Sequence, residues 1–266
     1  MPRPTADSAV SSTPGPRVRP VPAVTRTIAI LRLLGDSRQP LGVKAVADAL
    51  GIIPSTCLHI LRVLVAESLV TVDPATKKYA LGSGMISLAR SVLQGGGFAP
   101  LAQPALDRLA AEAQVTAMGV EITPRQGCVV LAISRTSQYF RLHTDVGSQF
   151  NTLVSATGRL IAAHQGESVA QLRKRFAQIV WDQAPTFDAW RQQVAQARAQ
   201  GWSLDRNHFM NGVTVVAVPL VSSTARLTHT LVAVGLSSHM DDALVERIVA
   251  QMKDEAARIG AALVES

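Results

Sequence analysis

Residues 43–81, VKAVADALGIIPSTCLHILRVLVAESLVTVDPATKKYAL, constrain this chain more than any other stretch, because the period of the apolar residues changes within it. Val43, Val46, Ala47 and Leu50 recur at i, i+3, i+4 and i+7, one apolar stripe on one short helix. Gly51 comes next, where a residue free to turn left-handed ends a helix, and Pro54 suits the first position of another. That second helix would bury Cys57, Ile60, Leu61 and Leu64 and leave Ser55, Thr56, His59 and Arg62 on its other face. The period then drops to two, in Val70 and Val72, a turn at residues 73–76, then Tyr79 and Leu81, with Lys77 and Lys78 beside the turn. Helix, tight turn, helix with a polar and basic face, then a basic two-stranded ribbon is the layout of a winged helix-turn-helix. In such a unit the second helix enters the major groove and the ribbon lies along the phosphates. A plain helical packing unit shares the apolar pattern, but the agreement of three features in order and spacing favours double-stranded DNA as the partner.

Charge agrees with this division of labour. Residues 1–97 hold 11 Lys/Arg against 5 Asp/Glu, whereas residues 98–266 hold 15 against 14. A basic domain joined to a near-neutral one fits a polyanion for the first and something else for the second. At 47% hydrophobic residues, 266 residues are ample for real cores, and with 4% aromatics these must be filled mainly by aliphatic side chains. The two cysteines, Cys57 and Cys128, sit where small buried hydrophobes would serve, without disulfide or zinc spacing. With no charged-then-apolar leader and no apolar run of about 18 residues, the expected location is the cytoplasm, without a membrane.

Along the chain, residues 1–22 are rich in Pro, Ser and Thr and read as a disordered tail. Residues 23–34 read as a helix with more apolar faces than a small subdomain needs, a surplus that suits self-association. Met85, Leu88, Ala89 and Val92 form another stripe, ended by Gly95, Gly96 and Gly97, a hinge. The expected domains are therefore the tail 1–22, a DNA-binding domain 23–82, a linker helix and hinge 83–97, and a second domain 98–266. In the last, strand patterns fall at 116–122, 128–133, 139–143, near 202–205, at 213–221 and at 229–236, with helices at 101–113, 155–164, 167–177, 187–200 and 241–263. Few of these alternate strand with helix, so the α/β content is of the α+β type, a mostly antiparallel sheet with helices packed on it.

Three segments together resemble the IclR (isocitrate lyase regulator) family of bacterial transcriptional regulators, over nearly the whole chain from about Ala23. They are GIIPSTCLHILRVL with the following KKYALG, LVSATGRLIAAH (153–164) and GWSLDRNHFMNGVTVVAVPL (201–220). The resemblance implies a winged helix-turn-helix, a linker helix and a GAF-like effector domain, working as a homodimer or a dimer of dimers. It implies a regulator that senses a small organic acid, aromatic ones included, and controls a catabolic operon, with no cofactor or metal. The family's ligand-facing amides fall on Ala156 and Thr157, its pocket acid on Asp205, and its pocket wall on Tyr139, Leu142, Phe150, Val213 and Val215. Free amides at the start of the 155–164 helix are independently a suitable partner for a carboxylate, and Gly158 permits close approach. The chain departs from the family at His59, where arginine is frequent, at Val215, where a polar residue is common, and in the last strand. There a serine pair would fall either on Val232 and Val234 or on Gly235 and Ser237, so the pocket is expected to be unusually apolar.

Two other functions are open at this point. An enzyme carrying a DNA-binding module needs a catalytic set, and the histidines show no metal-binding spacing, Ser155 lies in no GxSxG turn, and Cys128 has no charged neighbour. An architectural DNA-binding protein would not need 169 further residues (98–266) of near-neutral structure.

Overall fold

The computed structural model describes residues 21–94, 97–123, 127–135, 144–221 and 226–265. The chain divides into two compact units, residues 1–89 and 90–266. The division falls inside one helix, just ahead of the glycine run. The tail 1–22 lies outside the described residues except for its last two, as do the strand expected at 139–143 and most of the turn at 124–127.

In the first unit α1 (Pro22–Asp36) opens on its proline and buries Ile30 and Leu34, while Val24 and Ile28, the start of the apolar stripe, stay exposed. The next two helices, α2 (Val43–Leu50) and α3 (Pro54–Ala66), are bent at 116° to each other. Gly51, at φ 61°, makes that corner: its N–H reaches the Ala47 and Asp48 carbonyls, and the Ile52 N–H returns to the Ala47 carbonyl at 2.9 Å. Val46, Ala47, Cys57, Leu61 and Leu64 are buried together with Val70 and Tyr79 from the ribbon, and Ile60 is half-buried beside them. The ribbon has three strands rather than two, in the order β1 (Leu41–Gly42), β3 (Lys78–Leu81), β2 (Val70–Val72). Two residues are too few to show a period, which is why β1 escapes a reading of the sequence. α4 (Gly84–Gln94) follows and exposes Ile86 and Leu88.

The second unit is a six-stranded antiparallel sheet between helices. Its elements after α5 (Phe98–Ala113) are β4 (Thr116–Thr123), β5 (Gly127–Ile133), β6 (Gln149–Phe150), α6 (Ser155–Gln165), α7 (Val169–Phe176), α8 (Phe187–Gln200), β7 (Ser203–Arg206), β8 (Val213–Val221), β9 (Leu227–Leu236) and α9 (Asp242–Glu265). The strand order is β6-β5-β4-β9-β8-β7, every pairing among the described residues antiparallel. α5 and α9 cover one face through Leu106, Leu109, Ile248 and Met252, packed on Val216, Val218 and Leu231. α6 covers the other, with Leu160 and Ile161 against Met118, Val120, Val213, Val232 and Val234. Beyond α6, α7 and α8 close a satellite core on Phe187 and Trp190. α5 begins three residues before the expected Leu101 and carries Pro104 within it. No single helix among the described residues is long and apolar enough to cross a membrane.

Candidate functional site

Between α6 and the sheet lies a cavity of about 70 Å³. This is room for about two waters at roughly 30 Å³ each, and under half of the roughly 150 Å³ of a cavity that holds benzene, so a ring-sized group would extend beyond it. Its sheet wall is made by Met118 and Val120 of β4, Cys128 of β5, Phe150 of β6, Asp205 of β7, Val213 and Val215 of β8, and Val232 and Val234 of β9. β6 and β7 are the opposite edges of the sheet, about 24 Å apart if it were flat. Both border one small cavity, so the sheet must curl around it. Val154, Ser155 and Thr157 at the start of α6, with Phe209 and Met210 from the turn after β7, complete the lining. Burial pushes the Cys128 thiol up to about 12, so it remains a protonated, unreactive part of the wall.

The start of α6 is unusual in three ways. No side chain caps it, and the first of its amides to find a carbonyl among the described residues is that of Gly158, on Val154 at 2.8 Å. Ser155 sits at φ 56°, a left-handed conformation that costs a residue with a side chain about 1 kcal/mol or more. Its hydroxyl is buried without a partner among the described residues. Gly158 serves a purpose other than ligand approach: a Cβ there would come within 2.1 Å of the Leu153 carbonyl carbon. The chain folds back on the helix so closely that no side chain fits.

One turn further, Arg159 is wholly buried. Its Nη1 donates to the Ser155 carbonyl at 2.8 Å and to Asp205 Oδ2 at 3.0 Å, and its Nε to Gln193 Oε1 at 2.8 Å, while Nη2 has no partner among the described residues. Burial draws the guanidinium below its ordinary value and Asp205 opposes that shift. Asp205 is equally enclosed, and its other oxygen accepts the His208 and Phe209 amides at 3.1 and 3.3 Å. Three of the roughly four sites a carboxylate offers are thus taken. Because Arg159 neutralises Asp205, the α6 N-terminus keeps its attraction for an anion.

In the first unit the polar face of α3 carries Ser55, His59 and Arg62, all exposed at i, i+4 and i+7, with Thr56 half-buried beside them. Lys77 and Lys78 stand exposed at the ribbon turn. Asp73 organises that turn by accepting the Ala75 amide at 2.8 Å, a bond that holds its carboxyl below the usual range. The Lys77 N–H bonds the Asp73 carbonyl, and Lys77 takes φ 55°.

The model of the bacterial transcriptional regulator IclR C-terminal domain matches residues 91–261, and that of the IclR helix-turn-helix domain matches residues 23–74. The chain belongs to the IclR family. It is similar to the glycerol operon regulatory protein of Streptomyces griseus, 27% identical over 203 residues, 76% of this chain and 80% of that protein. Among solved structures, an IclR transcriptional regulator from Alicyclobacillus acidocaldarius superposes with a TM-score of 0.81 at 23% identity, over 92% of this chain and all of that one. An IclR homolog from Microbacterium hydrocarbonoxydans complexed with 4-hydroxybenzoate gives 0.73 at 17% identity, over 92% and 100%. IclR proteins of this kind are DNA-binding transcriptional regulators, not enzymes, and so is this one.

Of the pocket residues that the IclR resemblance implies, Phe150, Thr157, Asp205, Val213 and Val215 do meet around one cavity. Ala156 is wholly buried in the core behind it and does not line it, and Tyr139 and Leu142 lie outside the described residues. Asp205 borders the cavity as an acid already held by Arg159 and two amides rather than as a free acceptor. Of the two alignments of the last strand, Val232 and Val234 face the cavity, whereas Gly235 packs on Met240 and Ser237 bonds Thr214 and Asn207. Sequence reasoning missed Met118, Val120, Ser155, Phe209 and Met210 as lining, and Arg159 altogether. For Arg159 a signal existed: a charged residue within SATGRLIAA, a helix with no other charge and no polar stripe to carry it to solvent.

Proposed function

We propose that this IclR-family regulator senses a small organic acid, aromatic ones included, in the cavity under α6 and adjusts its hold on an operator controlling a catabolic operon. The observation that carries the reading is an apolar cavity into which one uncapped helix start opens. An anion there meets the free amides of the first turn that border the cavity, that of Thr157 among them. The apolar walls suit a ring or short hydrocarbon body. The homolog complexed with 4-hydroxybenzoate supports an aromatic acid by analogy of fold.

On the DNA side, Ser55, Thr56, His59 and Arg62 of α3 are assigned to the major groove and Lys77 and Lys78 to the phosphates. A homodimer or dimer of dimers accounts for the exposed Val24 and Ile28 of α1 and Ile86 of α4, apolar residues in excess of what the unit's own core uses. Thermal-shift screening of small acids against the full chain, followed by DNA binding with the hits, tests the reading. Acids that raise the melting temperature and change operator affinity support it; acids that do neither overturn it.

A further inference from the structure

We infer that the Ser155 hydroxyl is the side chain that recognises the ligand, and that the site takes an acid whose polar atoms lie at one end of an otherwise apolar body. The inference rests on the acid site proposed above and deepens it.

Two independent observations carry it. Ser155 is the first residue of α6, it lines the cavity, and it is 8% exposed with a hydroxyl that has no partner among the described residues. A buried hydroxyl without a hydrogen bond is disfavoured, and so is φ 56° in a residue with a Cβ. Both penalties fall on one residue, at the mouth of an uncapped helix, which is where a bound carboxylate would accept the hydroxyl's proton in a hydrogen bond alongside the free amides. Cavity-lining groups that no protein group satisfies are the ones a bound molecule satisfies.

The second observation is where the remaining polarity lies. Among the described residues, and apart from the Cys128 thiol, the lining side chains that hydrogen-bond strongly are Ser155, Thr157 and Asp205. Arg159 Nη1 touches both the Ser155 carbonyl and Asp205, so these groups form one cluster at one end. Asp205 therefore cannot serve a donor on a distant part of the ligand. Among the described residues the wall elsewhere is Met118, Val120, Phe150, Val232 and Val234 and their neighbours, which offer no strong acceptor or donor for a second polar substituent. A hydroxyl placed there loses its water and gains nothing, whereas a hydrogen or methyl in its place loses nothing.

The experiment is calorimetric titration of the full chain with two matched pairs, benzoate against 4-hydroxybenzoate and hexanoate against 6-hydroxyhexanoate, on the parent, Ser155→Gly and Ser155→Ala. Within whichever pair binds, the parent should hold the plain acid about tenfold more tightly than its hydroxy partner. Ser155→Gly removes the hydroxyl and suits the left-handed backbone, so it should bind the plain acid several-fold more weakly while its melting temperature does not fall. That combination separates recognition from a merely structural role, and Ser155→Ala should share the weakened binding. A hydroxy acid that binds as tightly as its plain partner overturns the one-ended ligand and leaves the acid site standing. Unchanged affinity in both serine variants overturns the role of Ser155. Should none of the four acids bind, the acid-site reading falls and this inference with it.

Discussion

Arg159 and Asp205 stabilise each other in the interior, and removing one is a different experiment from removing both. Asp205→Leu leaves a buried guanidinium without its counter-charge and frees the His208 and Phe209 amides; we expect a loss of about 3–5 kcal/mol. Arg159→Met with Asp205→Leu removes both charges and should be more stable than the single variant. Urea unfolding checks this, and a double variant no better than Asp205→Leu would show that the ion pair is not what makes the single change costly. His229 supplies a pH dependence of another kind. It stacks on Phe98 with ring centroids 4.2 Å apart, and burial lowers it from 6.5 to about 4 even though Glu121 is its cross-strand partner. Between those values the unfolded chain takes up a proton that the folded chain refuses, so this group makes stability fall as pH drops from about 6.5 towards 4, by on the order of 2 kcal/mol. His229→Phe keeps a ring on Phe98 without the titration and should have a flatter profile. Identical slopes in parent and variant would remove His229 from the effect.

At the scale of elements, the ribbon makes the sharpest prediction for DNA. Lys77→Ala with Lys78→Ala removes two counterion-displacing charges; binding to every sequence should weaken, and the slope of log affinity against log salt should become shallower by roughly 2. A slope equal to the parent's would take the ribbon out of the interface. The elements themselves were largely legible in the sequence, because α2, α3, α8 and α9 and the long strands β4, β5, β8 and β9 show their apolar period over many residues. What was not legible depends on contacts between distant residues. β1 and β6 are two residues each and exist only through their partners, Tyr79 and Cys128 among them. α1 presents Ile30 and Leu34 to the core rather than Val24 and Ile28, because the helix is apolar on several sides and its period does not choose between them. The cavity lining follows the same rule. Val213 and Val215 are placed in the wall by the family resemblance rather than by any local period, and Met118, Phe209 and the strained Ser155 join them only because the sheet curls and the chain doubles back at Leu153.

For the whole molecule, DNA and acid are assigned to different units, and the proposed function requires that each site responds to the other. A ligand shifts an equilibrium only by its unequal affinity for two states, and the coupling is reciprocal, typically 5- to roughly 150-fold. Self-association enters at the same scale: analytical ultracentrifugation should find a dimer or tetramer for the parent and a weaker one for Ile28→Glu, whose charge would be set into the exposed face of α1. An unchanged sedimentation profile would place the interface elsewhere. Fluorescence anisotropy decides whether the acid alters the hold on DNA, on a duplex that the full protein itself selects from random sequence, titrated with and without saturating amounts of the acid that calorimetry shows to bind. DNA affinity should change at least about fivefold, and the change should be absent or much reduced for Ser155→Gly at the same acid concentration. Superimposable DNA titrations with and without the bound acid would contradict the proposed function.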